Sequence, residues 1–144
     1  MFSIVCRPIQ NNDELRASFA LRKKVFVEEQ KLFKRTDRDC HDKNAIHIIA
    51  LCNNTVVGTV RVHQLRAGSW FGSRLAVVKQ FRGRAGRLLI QKAVEVVKKN
   101  GARQFSAHIL LRNVPLFKRL GWVTAGHVFA YCGQPHQMME AHLD

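Results

Sequence analysis

Negative charge is scarce in this chain of 144 residues: ten Asp and Glu stand against 24 Lys and Arg, for a formal net charge of +14. That imbalance calls for an anionic partner, either a nucleic acid or a small polyphosphate. Runs of stacking aromatics and a helix–turn–helix pattern are both absent, which argues against nucleic acid. No apolar run approaches the ~18 residues of a membrane helix. The opening Met1-Phe2-Ser3-Ile4-Val5-Cys6-Arg7-Pro8 lacks the basic region and long apolar stretch of a secretory signal, so the cytoplasm is the expected compartment. The four cysteines, Cys6, Cys40, Cys52 and Cys132, form no CxxC pair, and with the scattered histidines they match no zinc spacing. Free thiols and no metal are expected. Neither a repeat nor a Pro/Gly/Ser linker interrupts the chain, so one domain over 1–144 is expected. An apolar content of 47% excludes a disordered chain and suffices for a core.

The charges that are present are unevenly spread. Seven of the ten acids lie at or before Asp42, whereas the span from Lys43 to Met139 holds one acid, Glu95, and fifteen Lys and Arg. Hydrophobic periodicity alternates between two repeats. Ser3–Pro8 reads as a strand, and Asn11-Asn12-Asp13-Glu14 as the capped start of a helix continued by Leu15, Phe19, Arg22 and Phe26. Residues 31–44 read as a polar loop. The runs 45–51 and 55–63 form a hairpin around Cys52-Asn53-Asn54, and a third strand covers Ser73–Val78 after a turn at 66–69. A helix follows, with Leu88, Leu89, Ala93, Val96 and Val97 on one face and a stop at Asn100-Gly101. A strand at 105–111, a short helix at 113–120 and strands at 122–131 and 137–143 complete the order βαβββαβαββ.

The centre of this pattern is a strand, a basic glycine-containing loop and a helix: Leu75-Ala76-Val77-Val78-Lys79-Gln80-Phe81-Arg82-Gly83-Arg84-Ala85-Gly86-Arg87. Helix N-termini carry unpaired N–H groups and partial positive charge. Small residues at Gly83, Ala85 and Gly86 let a phosphate approach, and Arg82, Arg84 and Arg87 add full charges. A pyrophosphate is the natural guest; a basic turn that only caps the helix is the plainer alternative. Neither a Walker loop nor GxGxxG is present.

This segment resembles the coenzyme-A-binding motif of the GNAT N-acetyltransferase superfamily, whose Q/R-x-x-G-x-G/A pattern fits Gln80–Ala85, or begins at Arg82 if the strand sets the register. Three further elements resemble the family in the same order. They are Leu21-Arg22-Lys23-Lys24-Val25-Phe26-Val27-Glu28-Glu29-Gln30 in the first helix, Gly58-Thr59-Val60-Arg61 in the third strand, and Asn113-Val114-Pro115-Leu116-Phe117-Lys118-Arg119-Leu120-Gly121-Trp122 near the end. The stretch Trp70–Val77 and the late Gly133-x-Pro135-His136-x-x-Met139 are similar to a bacterial branch associated with nitrogen-starvation gene clusters. The resemblance implies an α/β (α+β mixed) GNAT fold with a central, mostly antiparallel mixed sheet flanked by helices. It also implies acetyl-CoA as cofactor, held by Leu75, Ala76, Val77, Arg82, Gly83, Arg84, Ala85, Gly86, Arg87, Asn113 and Phe117. The partner would be a small-molecule or peptide amine, with no membrane; a homodimer is compatible with it.

Amine acylation needs a base, a group that stabilises the thioester oxygen, and a leaving thiolate. The family's usual thiolate acid is a tyrosine, and Phe117 stands there. A thiol of pKa ~8.5 still leaves as a thiolate, although the missing acid can cost ~10²–10⁴ in rate. A silent acyl-CoA-binding module and a basic nucleic-acid-binding protein are therefore the rival readings. Candidate bases are Glu29 and Glu28 at the end of the first helix and His108, whose ordinary pKa of ~6.5 suits the task. Asp39-Cys40-His41-Asp42 with Arg22, Phe26 and Arg61 resembles the set found in acyl-homoserine lactone synthases, which share the fold. Asp39 and Asp42 either lock Arg22 and Arg61 in an ion network or meet a cationic acceptor. Trp70, Met138 and Met139 are expected to line the acceptor's apolar part. On this charge map an amine-bearing acceptor is favoured over a carboxylate-rich one.

Overall fold

Asn11 starts the first helix by accepting a hydrogen bond on its side chain from the Glu14 N–H at 2.9 Å. In the computed structural model, which describes residues 3–144, strand β1 (Ile4–Pro8) precedes this helix, α1 (Asn12–Arg22). Met1 and Phe2 of the opening segment lie outside the described residues. Helix α1 widens into a π-helical stretch, Lys23–Glu29. Strands β2 (Ile46–Cys52), β3 (Thr55–Arg66) and β4 (Ser69–Val77) follow. Next come a 3₁₀ turn (Lys79–Phe81), helix α2 (Arg82–Lys99) and strand β5 (Gln104–Leu110). The chain ends with the short helix α3 (Val114–Arg119) and strands β6 (Val123–Tyr131) and β7 (Gln134–Glu140). The element order is the βαβββαβαββ read from periodicity.

Asn53 and Asn54, at φ of 51° and 68°, make the two-residue turn of the β2–β3 hairpin. Strand β3 runs on to Arg66 rather than 63, β7 stops at Glu140 rather than 143, and two strands start earlier than the periodicity implies. Strand β4 begins at Ser69 rather than Ser73, because Ala67-Gly68 alone makes the turn and Arg66 already faces Ser69. Strand β7 begins at Gln134 rather than Gln137, because Cys132 and Gly133, both at positive φ, close a two-residue turn. Pro135 is tolerated inside β7 because it lies beyond the end of β5, whose last pair is Leu110 with His136.

The seven strands form one sheet in the order β1-β2-β3-β4-β5-β7-β6, antiparallel except for β4 and β5. Helix α2 covers one face, burying Leu89 and Val97 completely against Ile48, Val62 and Phe105. A Cβ on Gly58 would stand 2.8 Å from Leu89 Cδ1, so any side chain there would force the fully buried Leu89 to shift. On the opposite face, Val25 and Phe26 of the π-helical stretch pack on Ala76. Among the described residues no helix is long and apolar enough to cross a membrane.

The sheet is incomplete at its centre. The parallel pairing of β4 with β5 covers only Ser69–Gly72 against Gln104–Ala107. Immediately beyond, β4 carries a bulge: Thr59 and Arg61 of β3 face Ala76 and Ser73, so three steps on β4 match two on β3. Arg74 sits in this bulge at φ 58°, a conformation costing a non-glycine residue roughly 1–3 kcal/mol.

Candidate active site

A cleft of about 570 Å³ occupies the gap between β4 and β5. Its walls include Ile90, Ala93, Phe105, Ile109, Phe117 and Trp122 from the α2 side and Phe26, Phe71, His108, Tyr131 and His136 from the opposite side. A cavity with walls on both faces must pass through the sheet, and it does so where β4 has no partner on its β5 side.

Beside the gap lies a cluster of three arginines and three aspartates. Arg22, 1% exposed, donates from Nε to Asp37 Oδ2 (2.6 Å) and from Nη1 and Nη2 to Asp42 (2.7 and 3.0 Å). Arg61 donates through Nη1 and Nη2 to Asp39 (2.6 and 2.8 Å), through Nη1 to Asp42 (2.9 Å) and through Nε to Ser73 Oγ (2.9 Å). Arg74 donates to the Asp37 carbonyl (2.9 Å) and Asp39 Oδ2 (3.2 Å), and its guanidinium lies 4.6 Å above the Phe33 ring. These bonds hold the strained Arg74 backbone and fasten the loop at 31–44 across β3 and β4. The Arg61 guanidinium lowers the Asp39 carboxyl to about 2, against the opposing effect of burial. Burial works to raise Asp42, but hydrogen bonds from Arg22, the Asp39 N–H and Arg61 outweigh it and hold its carboxyl well below the usual range.

The ion network that the sequence offered as one reading of Asp39 and Asp42 is present: three carboxylates meet three guanidiniums, with Asp39 the most exposed of the aspartates. Asp37 and Arg74, which the sequence reading missed, complete the balance. Arg61, Asp39 and Phe26 line the cleft; Arg22 and Asp42 stand behind it.

At the mouth of the gap, the N-terminus of α2 has no side-chain cap. Open space lies above Gly83 and Gly86, where an added Cβ would meet nothing within 4 Å. Arg84 and Arg87 are exposed and have no ion pair among the described residues, whereas Ala85 is fully buried against the core. Arg82 is engaged, donating from Nε to the Val77 carbonyl (3.1 Å) and from Nη2 to Glu29 (2.5 Å). Leu75, Asn113 and Phe117 line the cleft, while the side chains of Ala76 and Val77 are buried on either face.

Of the candidate bases, only His108 opens into the cleft. Its ring is flanked by Phe71 (4.9 Å between centroids) and Phe129 (4.8 Å). Partial burial, with the His136 ring nearby, holds its pKa below the ordinary imidazole value. Glu28 is exposed and does not line the cleft, and Glu29 is held at the mouth of the gap by its ion pair with Arg82. Trp70 is likewise corrected. Its side chain is 7% exposed in the α2-side core, and its neighbour Phe71, on the other face of the strand, lines the cleft instead. Met139 is core and Met138 cleft for the same reason. Tyr131, to which the sequence reading gave no role, is carried into the cleft by the β6–β7 hairpin.

The model of the acetyltransferase (GNAT) family matches residues 12–122. A Bacillus subtilis (strain 168) protein named as an acetyltransferase is 29% identical over 142 residues, covering 92% of each chain. The crystal structure of an N-acetyltransferase assigned in Lactobacillus plantarum superposes with a TM-score of 0.87 at 21% identity, over 98% of this chain and 99% of that one. BjaI, a CoA-dependent acyl-homoserine lactone synthase, gives 0.79 at 22% identity over 97% and 84%. The interrupted sheet, the uncapped basic helix start and these matches lead to one statement: the chain belongs to the GNAT acetyltransferase family and is an acyltransferase enzyme.

Proposed function

We propose that this enzyme transfers the acyl group of acetyl-CoA to the amine of a small molecule or peptide, with His108 as the base. The observation that carries the reading is the parting of β4 from β5, which opens a passage through the sheet from the α2 N-terminus to the face where His108 lies. The residues at the passage fit coenzyme A. Arg84, Arg87 and the clear space over Gly83 and Gly86 suit a diphosphate, and the β4 backbone from Ser73 to Val77 lacks a strand on its β5 side. Leu75, Asn113 and Phe117 would line the pantetheine arm. When bound, the thioester supplies the activated acyl group.

His108 acts on the amine. With a pKa below ~6.5 its ring is neutral at pH 7 and ready to take a proton. A main-chain N–H of β4 beyond Gly72, unpaired by β5, would stabilise the charge that develops on the thioester oxygen. Phe117 lines the cleft but has no proton to give, so it would supply no acid to a departing thiolate, whose proton would come from water.

The test is thiol release from acetyl-CoA with a panel of amines. His108→Ala is expected to lower kcat about 10²–10⁴-fold and to leave acetyl-CoA affinity unchanged. The wild-type kcat/KM should fall on the acid side with an apparent pKa below ~6.5, and the variant should lose that limb. Wild-type turnover by His108→Ala would place the base elsewhere.

A further inference from the structure

Six rings run without a break along the cleft on the face opposite α2: His41, His63, Phe71, His108, Tyr131 and His136. Each touches the next. His41 stacks on His63 at 4.2 Å between centroids, and His63 meets Phe71 at 5.8 Å. Phe71 meets His108 at 4.9 Å, His108 meets Tyr131 at 6.1 Å, and Tyr131 meets His136 at 5.3 Å. After the first pair the rings cross at 56–88°, so they do not stack on one another. A wall of crossed rings offers faces and edges to a flat guest, which gains both stacked and edge-to-face contacts.

The charges around this wall narrow the guest further. The charged residues that line the cleft are Asp39, Arg61 and Arg74, and both arginines are bonded to Asp39. His63 is 5% exposed, and its Nδ1 is buried without a hydrogen-bond partner. Burial, with His41 and Arg61 beside it, depresses its pKa to about 4, so the ring is neutral near pH 7. The cleft thus contains no uncommitted carboxylate to fix a polyamine and no free guanidinium to fix a carboxylate. What remains for selection is the ring surface, together with the neutral Gln30 Oε1, which lines the cleft and has no hydrogen-bond partner among the described residues.

We infer that the acceptor is an arylalkylamine, its aromatic body lying along the wall from His63 to Tyr131 and its amine reaching His108. This rests on the transfer reading above for the place of the amine. The rings select the substrate, Phe71 and Tyr131 most directly, because they flank His108 in the series.

The experiment compares phenethylamine with hexylamine, butylamine and spermidine as acceptors, using the full chain and acetyl-CoA. Phenethylamine should have the highest kcat/KM. Phe71→Leu and, separately, Tyr131→Leu should each lower the phenethylamine-to-hexylamine ratio of kcat/KM about tenfold. Direct binding of phenethylamine, followed by saturation-transfer NMR, should weaken in the same variants. Equal or better turnover of hexylamine overturns the inference and leaves acyl transfer standing. Thiol release with no amine, but saturable phenethylamine binding weakened by Phe71→Leu, supports the inference and overturns the transfer reading. A wild-type preference for octanoyl-CoA over acetyl-CoA that Phe71→Leu abolishes would assign the wall to an acyl tail and overturn the inference.

Discussion

Arginine has two fates in this molecule. Arg22, Arg61 and Arg74 are each bonded to buried or half-buried aspartates, whereas Arg84 and Arg87, at the start of α2, are exposed and pair with no acid. The first set shapes the sheet, because its partners span the loop at 31–44, β3 and the β4 bulge. The second set holds nothing together and is free to meet an anion. An overall charge of +14 therefore says little by itself; what matters is which cations already have partners.

The largest effect should come from the paired set. Arg22→Ala leaves Asp37 and Asp42 buried without their main partner, and a loss of about 3–5 kcal/mol is expected in chemical denaturation. An Arg22→Ala protein as stable as the parent would erase the distinction. The unpaired set should behave in the opposite way. The double variant Arg84→Ala/Arg87→Ala should change stability by no more than about 0.5 kcal/mol and weaken acetyl-CoA binding about 10–100-fold in a calorimetric titration. If binding is unchanged, these arginines are only a solvated helix end.

The smallest effect is a pH dependence that only the paired set should show. Asp39 is depressed to about 2 in the folded chain against ~3.9 when unfolded, and Asp42 is shifted the same way. Their contribution is complete above pH ~4 and is lost as pH falls from there toward 2, because the unfolded chain binds protons first. Denaturation midpoints should drop through that window in the parent and in the Arg84→Ala/Arg87→Ala variant alike. Arg61→Ala should flatten the drop by returning Asp39 toward its ordinary value.

These contrasts also explain what could be read from the chain alone. The cap at Asn11, the turn at Asn53-Asn54 and the helical period of Leu89, Ala93 and Val97 are local, and each appears where its spacing put it. The cradle was legible as a strand, a basic loop and a helix start. The bulge at Arg74 was not, since a non-glycine residue adopts positive φ only where distant groups compensate, here Asp37, Asp39 and Phe33. The exchange of Trp70 for Phe71 turns on a single residue of strand phase, which a continuous apolar run leaves open. Tyr131 and His136 reach His108 only through pairing of β5, β7 and β6, contacts made across long stretches of chain. The spacing of Glu28 and Glu29 said nothing of Arg82, 53 residues further on, which pairs with Glu29.

The gap beside Gly72 gives binding an architectural meaning. Beyond that residue, β4 is a half-finished ladder, zipped to one neighbour and bare toward the other. An extended amide chain of the right length would serve there as a surrogate strand, so that taking up the donor amounts to finishing the protein's own fold.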